Sequence, residues 1–302
     1  MKLTYIGTIK KAKRLKKDLS SINVILRFLD LIPLLIEGNI IEYYVKPLIG
    51  EGLIKVSHDN LFIADVDILR IDLDRIGVSK YLDIDRYGIS FDLVIIPGLL
   101  HLSRSIVLDK EPLISKPNRA SSLIHYLKAL VRYYIEKNVK YVVFTEPTLN
   151  EIINYTSLRY GYKREFIVEA YDYIADEAMY SILYLSGRVS PIAIEIASLI
   201  PSINAIGIDI DSAPKNIYVI HNCVSKELCN LEKELVLGIL DPKNDDIVSI
   251  SLMLKDLVQK LKHITMITLD TVFGNAYSMG LDIESLKNAI HKLKRIVSQI
   301  GL

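Results

Sequence analysis

The stretch VIHNCVSKELC, residues 219–229, carries both cysteines of the chain and one of its six histidines. His221 and Cys223 stand in H-x-C spacing, and Cys229 follows six residues after Cys223. Imidazole nitrogen and thiolate sulfur are preferred ligands of zinc, so the first chemistry to weigh is a metal centre. A second group comprises carboxylates where apolar runs end: Glu146, Asp209, Asp211, Asp241 and Asp270. Glu146 and Asp209 are the candidates for a general base. Asp at such places also caps the next helix, and Glu146 can accept hydrogen bonds from neighbouring backbone N–H groups. The third group is a basic run, Lys10, Lys11, Lys13, Arg14, Lys16 and Lys17, just after Thr8. Lysine and arginine suit carboxylate-rich ligands, and a solvated helix face is the other reading of such a run.

What these groups can do depends on the elements that hold them. Short apolar runs recur at 3–8, 52–57, 92–98, 140–147, 181–187, 205–211, 235–241 and 264–270. Most are nearly continuous Val, Ile, Leu and Tyr, as in strands buried on both faces of a parallel sheet. Helical patterns lie between them. In 120–138, Leu123, Leu127, Leu130 and Tyr134 fall on one face, and the pattern ends at Asn138. The segments 247–263 and 282–300 behave alike, the latter with Asp282 as cap.

Eight strands with intervening helices in 302 residues predict an α/β chain folded as a single (β/α)8 TIM barrel over residues 1–302, with an irregular excursion around 52–90. A doubly wound open sheet is the rival, and no Gly-x-Gly-x-x-Gly follows the first run to support it. A barrel places working groups at the C-terminal ends of its strands, where the carboxylates and Thr8 lie. The His221–Cys229 stretch instead falls on the crossover between the sixth and seventh strands, outside the barrel. Six residues is also not a same-face helical spacing. The expectation is therefore no metal, with the cysteines as small core hydrophobes.

Lys and Arg number 37 against 36 Asp and Glu, which gives no reason to expect nucleic acid or a membrane surface as partner. Two cysteines make no disulfide framework and suggest a reducing compartment. The N-terminus reads as a strand rather than a signal peptide. The most apolar stretch, 22–41, contains Arg27, Asp30, Pro33 and Glu37, and reads as buried helix rather than a membrane span. The expected location is cytoplasmic.

Several strand ends resemble one family. YVVFTEPTLNE (141–151) is similar to the Q-x-D-E-P-A-L strand of the cobalamin-independent methionine synthases. LVLGILDPKNDDIVSISLMLKDLV (235–258) resembles their G-V-x-D-x-(R/K)-(N/S) strand and following helix. TYIGTIKKAKRLKKDL (4–19) looks like the opening of their N-terminal barrel, and AIGIDIDSAPKNI (205–217) like its G-x-x-x-D-x-V-R strand. VIIPGLLHLSRSI (94–106) stands where they have G-P-x-T-x-L. The matches keep their order along nearly the whole chain.

The resemblance implies a relative of the zinc-less N-terminal barrel. The family's H-x-C pair should follow the fifth strand, where this chain has Leu185 and Gly187. Its late cysteine should follow the eighth, where Asp270-Thr271-Val272-Phe273-Gly274 stand. Thr145 replaces the Asp of D-E-P-A-L. No cofactor is expected on the chain itself. The implied partners are a zinc-containing methionine synthase core subunit and a methyl donor, either a folate-like pterin or a donor protein. The family contacts the folate glutamate tail through R-E-L-K, which matches Lys13, Arg14, Leu15 and Lys16, so Thr8, Lys13, Arg14 and Lys16 are the expected substrate-binding residues. The implied role is that of a companion subunit in methyl transfer to homocysteine. An independent metal-free methyltransferase and a purely structural partner barrel are the alternatives.

Overall fold

The computed structural model describes residues 23–25, 62–64 and, with short gaps, 93–269, together with 288, 291, 292, 295 and 296. The elements that matter alternate along the chain: β1 (Asn23–Ile25), β2 (Phe62–Ala64), β3 (Leu93–Pro97), α1 (Leu99–Ser105), α2 (Ser122–Glu136), β4 (Tyr141–Thr145), α3 (Thr148–Ile152), α4 (Arg164–Ala175), β5 (Tyr180–Leu185), α5 (Pro191–Ser198), β6 (Ala205–Asp209), α6 (Asn216–Ser225), β7 (Glu234–Leu240), α7 (Ile247–Lys260) and β8 (Ile264–Leu269). Two-residue ribbons at 107–112 and 153–158 decorate the loops.

The strands form one sheet in the order β1-β8-β7-β6-β5-β4-β3-β2, with every pairing parallel. Each strand from β3 onward neighbours its predecessor, and β1 lies beside β8. This is the cyclic order of a (β/α)8 barrel, written open between its first and second strands. A β1–β2 pairing is not among those made by the described residues. Every residue of β4, β5 and β6 is buried, as in a parallel sheet covered on both faces.

Two expectations need correction. The apolar stretch 22–41, read as helix, contributes β1, whose Val24 and Ile25 pair in register with Ile267 and Thr268. β-Branched residues sit well in a pleated, two-sided environment, and a short apolar run does not by itself distinguish strand from helix. The excursion expected at 52–90 contains β2, in register with Leu93–Ile95 of β3. The runs 3–8 and 52–57, expected as the first two strands, lie outside the described residues, as does most of the 282–300 helix.

Helix α2 buries its expected stripe: Leu123, Leu127 and Tyr134 have no exposure and Leu130 has 2 %. It ends because Asn138 adopts a left-handed φ of 64°. The Val139 N–H then donates to the Tyr134 carbonyl at 3.0 Å, and the Asn138 N–H to that of Ile135 at 2.9 Å. These two bonds close the last turn and release the chain into β4. Among the described residues no helix is long and apolar enough to cross a membrane.

Candidate functional site

Strand parity separates the two candidate carboxylates. Phe144 packs its ring edge-on against Tyr171 of α4, with centroids 5.8 Å apart, so its side of β4 faces the helices. Glu146, two residues on, shares that side. Thr145 pairs in register with Tyr184, and Tyr184 with Gly207, so these residues and Asp209 share the opposite, interior side.

Asp209 ends β6 with no solvent exposure. Its Oδ1 accepts the Tyr184 hydroxyl at 2.7 Å, and its Oδ2 accepts the Gly187 N–H at 2.8 Å. Tyr184 reaches Asp209 by lying across Gly207, where a Cβ would come within 2.1 Å of the ring. A single glycine inside a strand marks such a close approach. Asn216, the first residue of α6, completes the frame. Its Nδ2 donates to the Asp209 carbonyl at 2.7 Å and to that of Gly187 at 2.8 Å, and its Oδ1 accepts the Val189 N–H at 2.9 Å. The β5–α5 loop is thus held by side chains of two other elements, and Gly187 takes a left-handed φ of 73° that suits glycine.

Glu146 also has no exposure. Its Oε2 accepts the backbone N–H of Leu100 at 2.8 Å, that of His101 at 3.3 Å, and the Tyr171 hydroxyl at 2.5 Å. The Tyr171 oxygen in turn accepts the Leu99 N–H at 2.8 Å. Glu146 and Tyr171 together therefore satisfy the orphan N–H groups of the first turn of α1. Gly98 permits this approach: a Cβ there would lie 2.4 Å from both Glu146 Oε2 and the Tyr171 hydroxyl. Burial pushes the Glu146 carboxyl up to about 7, against the opposing pull of the hydrogen bonds from Tyr171, Leu100 and His101. Its Oε1 is buried with no hydrogen-bond partner among the described residues. The Tyr171 hydroxyl is raised well above its ordinary value by burial and by the Glu146 charge, so it acts as a donor. Burial, aided by the Arg104 charge, holds His101 below its ordinary value.

Neither carboxylate meets solvent. A general base must come within hydrogen-bond reach of the proton it takes, and both groups are enclosed by protein donors. Asp209 orders a loop at the C-terminal end of the sheet, while Glu146 secures the start of α1 in the helix layer.

His221 and Cys223 lie on α6, on the crossover between β6 and β7, as their place in the sequence suggested. Two residues apart on a helix is about 200° of rotation, and accordingly His221 is exposed and Cys223 buried. They cannot offer a shared pair of ligands from one face. Cys223 is, moreover, disulfide-bonded, which corrects the expectation of a free core thiol. The only other cysteine of the chain, Cys229, lies outside the described residues. Among the described residues no three His, Cys, Asp or Glu side chains group as a metal site. His221 and Cys223, as placed, do not fit a thiolate-bound zinc.

Thr8, Lys13, Arg14 and Lys16 lie outside the described residues. Sequence reasoning missed Tyr171 as the partner of Glu146, and Tyr184 and Asn216 as partners of Asp209. A glycine within a buried strand, as in AIGID, was the available signal for the Tyr184 contact. Asn216 carries no motif that marks it.

Neither a protein-family model nor the sequence of a curated protein matches the chain. Solved structures do resemble it. One is described as a vitamin-B12-independent methionine synthase from Listeria monocytogenes, with 12 % identity and TM-score 0.47 over 70 % of this chain and 64 % of that one. Another is a B12-independent methionine synthase from a Shewanella species, in complex with selenomethionine, with 10 % identity and TM-score 0.48 over 72 % and 64 %. A third is a methyltransferase from Methanosarcina mazei, with 13 % identity and TM-score 0.46 over 71 % and 60 %. The chain thus spans less than two thirds of each of these structures.

Proposed function

We propose that this chain is a methionine-synthase-like barrel without a zinc site, acting as a companion subunit. It binds or orients the methyl donor for a separate zinc-bearing methionine synthase, which transfers the methyl group to homocysteine. The observation that carries this reading is the enclosure of both candidate bases. Asp209 is held by Tyr184 and Gly187, and Glu146 by Tyr171 and the first turn of α1. A barrel whose carboxylates hold its own loops suits binding better than proton transfer. The ordered run of family-like strand ends, from TYIGTIKKAKRLKKDL to LVLGILDPKNDD, supports the methyl-transfer setting. The opposed faces of His221 and Cys223 support a reading without zinc in that stretch. Placement in the cytoplasm belongs to the same proposal, and the redox state of Cys223 in cells tests it.

One observation favours the alternative of an independent, metal-free methyltransferase. Glu146 sits near neutrality with one oxygen unpartnered among the described residues, a suitable state for a general base if α1 moves aside. The tagged chain should be recovered from its native host and homocysteine methylation assayed on the recovered complex. Activity that depends on a co-purified zinc protein supports the companion role. Activity of this chain alone, lost on Glu146→Gln, supports the alternative.

A further inference from the structure

The β5–α5 loop is built with more polar investment than a connection of its length requires. Its N–H groups are taken up by three different elements: Gly187 by Asp209 at 2.8 Å, Val189 by Asn216 at 2.9 Å, and Ser190 by Asn150 of α3 at 3.0 Å. The Ser190 hydroxyl caps α5 through the Ala193 N–H at 3.2 Å, so that helix start is already served. Asp209 and Asn216 have no exposure, and the cost of burying them is offset by the hydrogen bonds with which they hold the loop. Amid these anchors stands Arg188, whose side chain is exposed. Among the described residues Arg188 makes no ion pair or hydrogen bond, and neither does the half-buried Ser186 hydroxyl. The loop therefore presents a guanidinium, a free main-chain N–H and a hydroxyl from a backbone pinned on both sides. It follows the C-terminal end of β5, the end at which barrels of this kind bind ligands.

We propose that this loop is an oxyanion-binding site in which Arg188 is the anchoring residue and Asp209, Asn216 and Asn150 are positioning residues. The ligand chemistry is a carboxylate or phosphate group, which the planar guanidinium fork meets with two parallel hydrogen bonds. Asp209 opposes an anion through its charge, so Arg188 and the loop donors must supply the attraction. A guanidinium held on a fixed backbone loses less freedom on binding than one on a mobile loop. This site is independent of the methyl-donor reading, since it asks only for an oxyanion.

The test is calorimetric titration of the full chain with two probes, glutarate for carboxylates and inorganic phosphate, at about 20 mM and about 200 mM salt. Wild type is expected to bind at least one probe, and the probe preferred identifies the source of the oxyanion. Arg188→Ala should weaken that binding at least about tenfold, as loss of a hydrogen bond to a charged group does. Arg188→Lys should fall between, keeping the charge but losing the fork. Arg132→Ala removes an equal charge from an outer helix, where Arg132 pairs with Glu177, and should leave binding unchanged. The proposal is overturned if wild type binds neither probe. It is overturned equally if Arg188→Ala matches wild type, or if Arg132→Ala weakens binding as much as Arg188→Ala does.

Discussion

Replacing Glu146 by Gln isolates the one buried carboxyl that burial pushes to about 7 from an ordinary value of 4.5. The sign follows from proton binding. At low pH the carboxyl is protonated in both folded and unfolded chains. As pH rises through 4.5 the unfolded chain releases its proton while the folded chain keeps it, so stability falls until the folded group also ionises near 7. At about 1.4 kcal/mol per pH unit the full loss is about 3 kcal/mol, most of it between about pH 5 and pH 7. Gln carries no proton to release but keeps an oxygen to accept from Leu100 and Tyr171. Urea unfolding at about pH 5 and about pH 8 should show wild type losing roughly 2–3 kcal/mol more stability than Glu146→Gln over that interval. Other acids, including Glu177, which Arg132 draws down to about 2, act alike in both proteins and cancel in the comparison. Profiles that stay parallel within about 0.5 kcal/mol would falsify the assignment of a proton-holding Glu146.

Gly98→Ala places a methyl group against Glu146 Oε2 and the Tyr171 hydroxyl, each 2.4 Å from the built Cβ. It should destabilise the chain by about 1–3 kcal/mol in the same unfolding assay, and an effect under about 0.5 kcal/mol would mean that the clamp on α1 is not tight. The expected pterin-binding run gives a second outcome. Lys13→Ala with Lys16→Ala should weaken binding of a glutamylated pterin, more so at low salt, with little change in melting temperature; equal affinities remove that run from the site.

The barrel was legible in the sequence where strands are long and continuously apolar. Nearly continuous apolar runs such as YVVFT and SILYL, bounded by polar ends, read as buried strands, and β3 to β8 stand where the pattern puts them. β1 and β2 were not legible, because Asn23–Ile25 and Phe62–Ala64 are three-residue strands, too short for a periodic pattern to set them apart from their surroundings. Glu146 and Asp209 were found by their place at strand ends. Their surroundings were not, because the partners come from helices 25 to 46 residues away in sequence or from a neighbouring strand, and the carboxylate's own strand gives no hint of them. The reading of a reducing compartment rested on the cysteine count alone. His221 and Cys223 would share a face on a strand but are opposed on a helix, and α6 is a helix.

The companion role is tested most directly by reconstitution. Homocysteine methylation should be measured for this chain alone, for a zinc-bearing single-barrel methionine synthase from the same host alone, and for the two together with the methyl donor held constant. The account predicts no turnover by this chain, and a rate for the pair well above that of the zinc protein by itself. Turnover by this chain alone, or a pair no faster than the zinc protein, would contradict it.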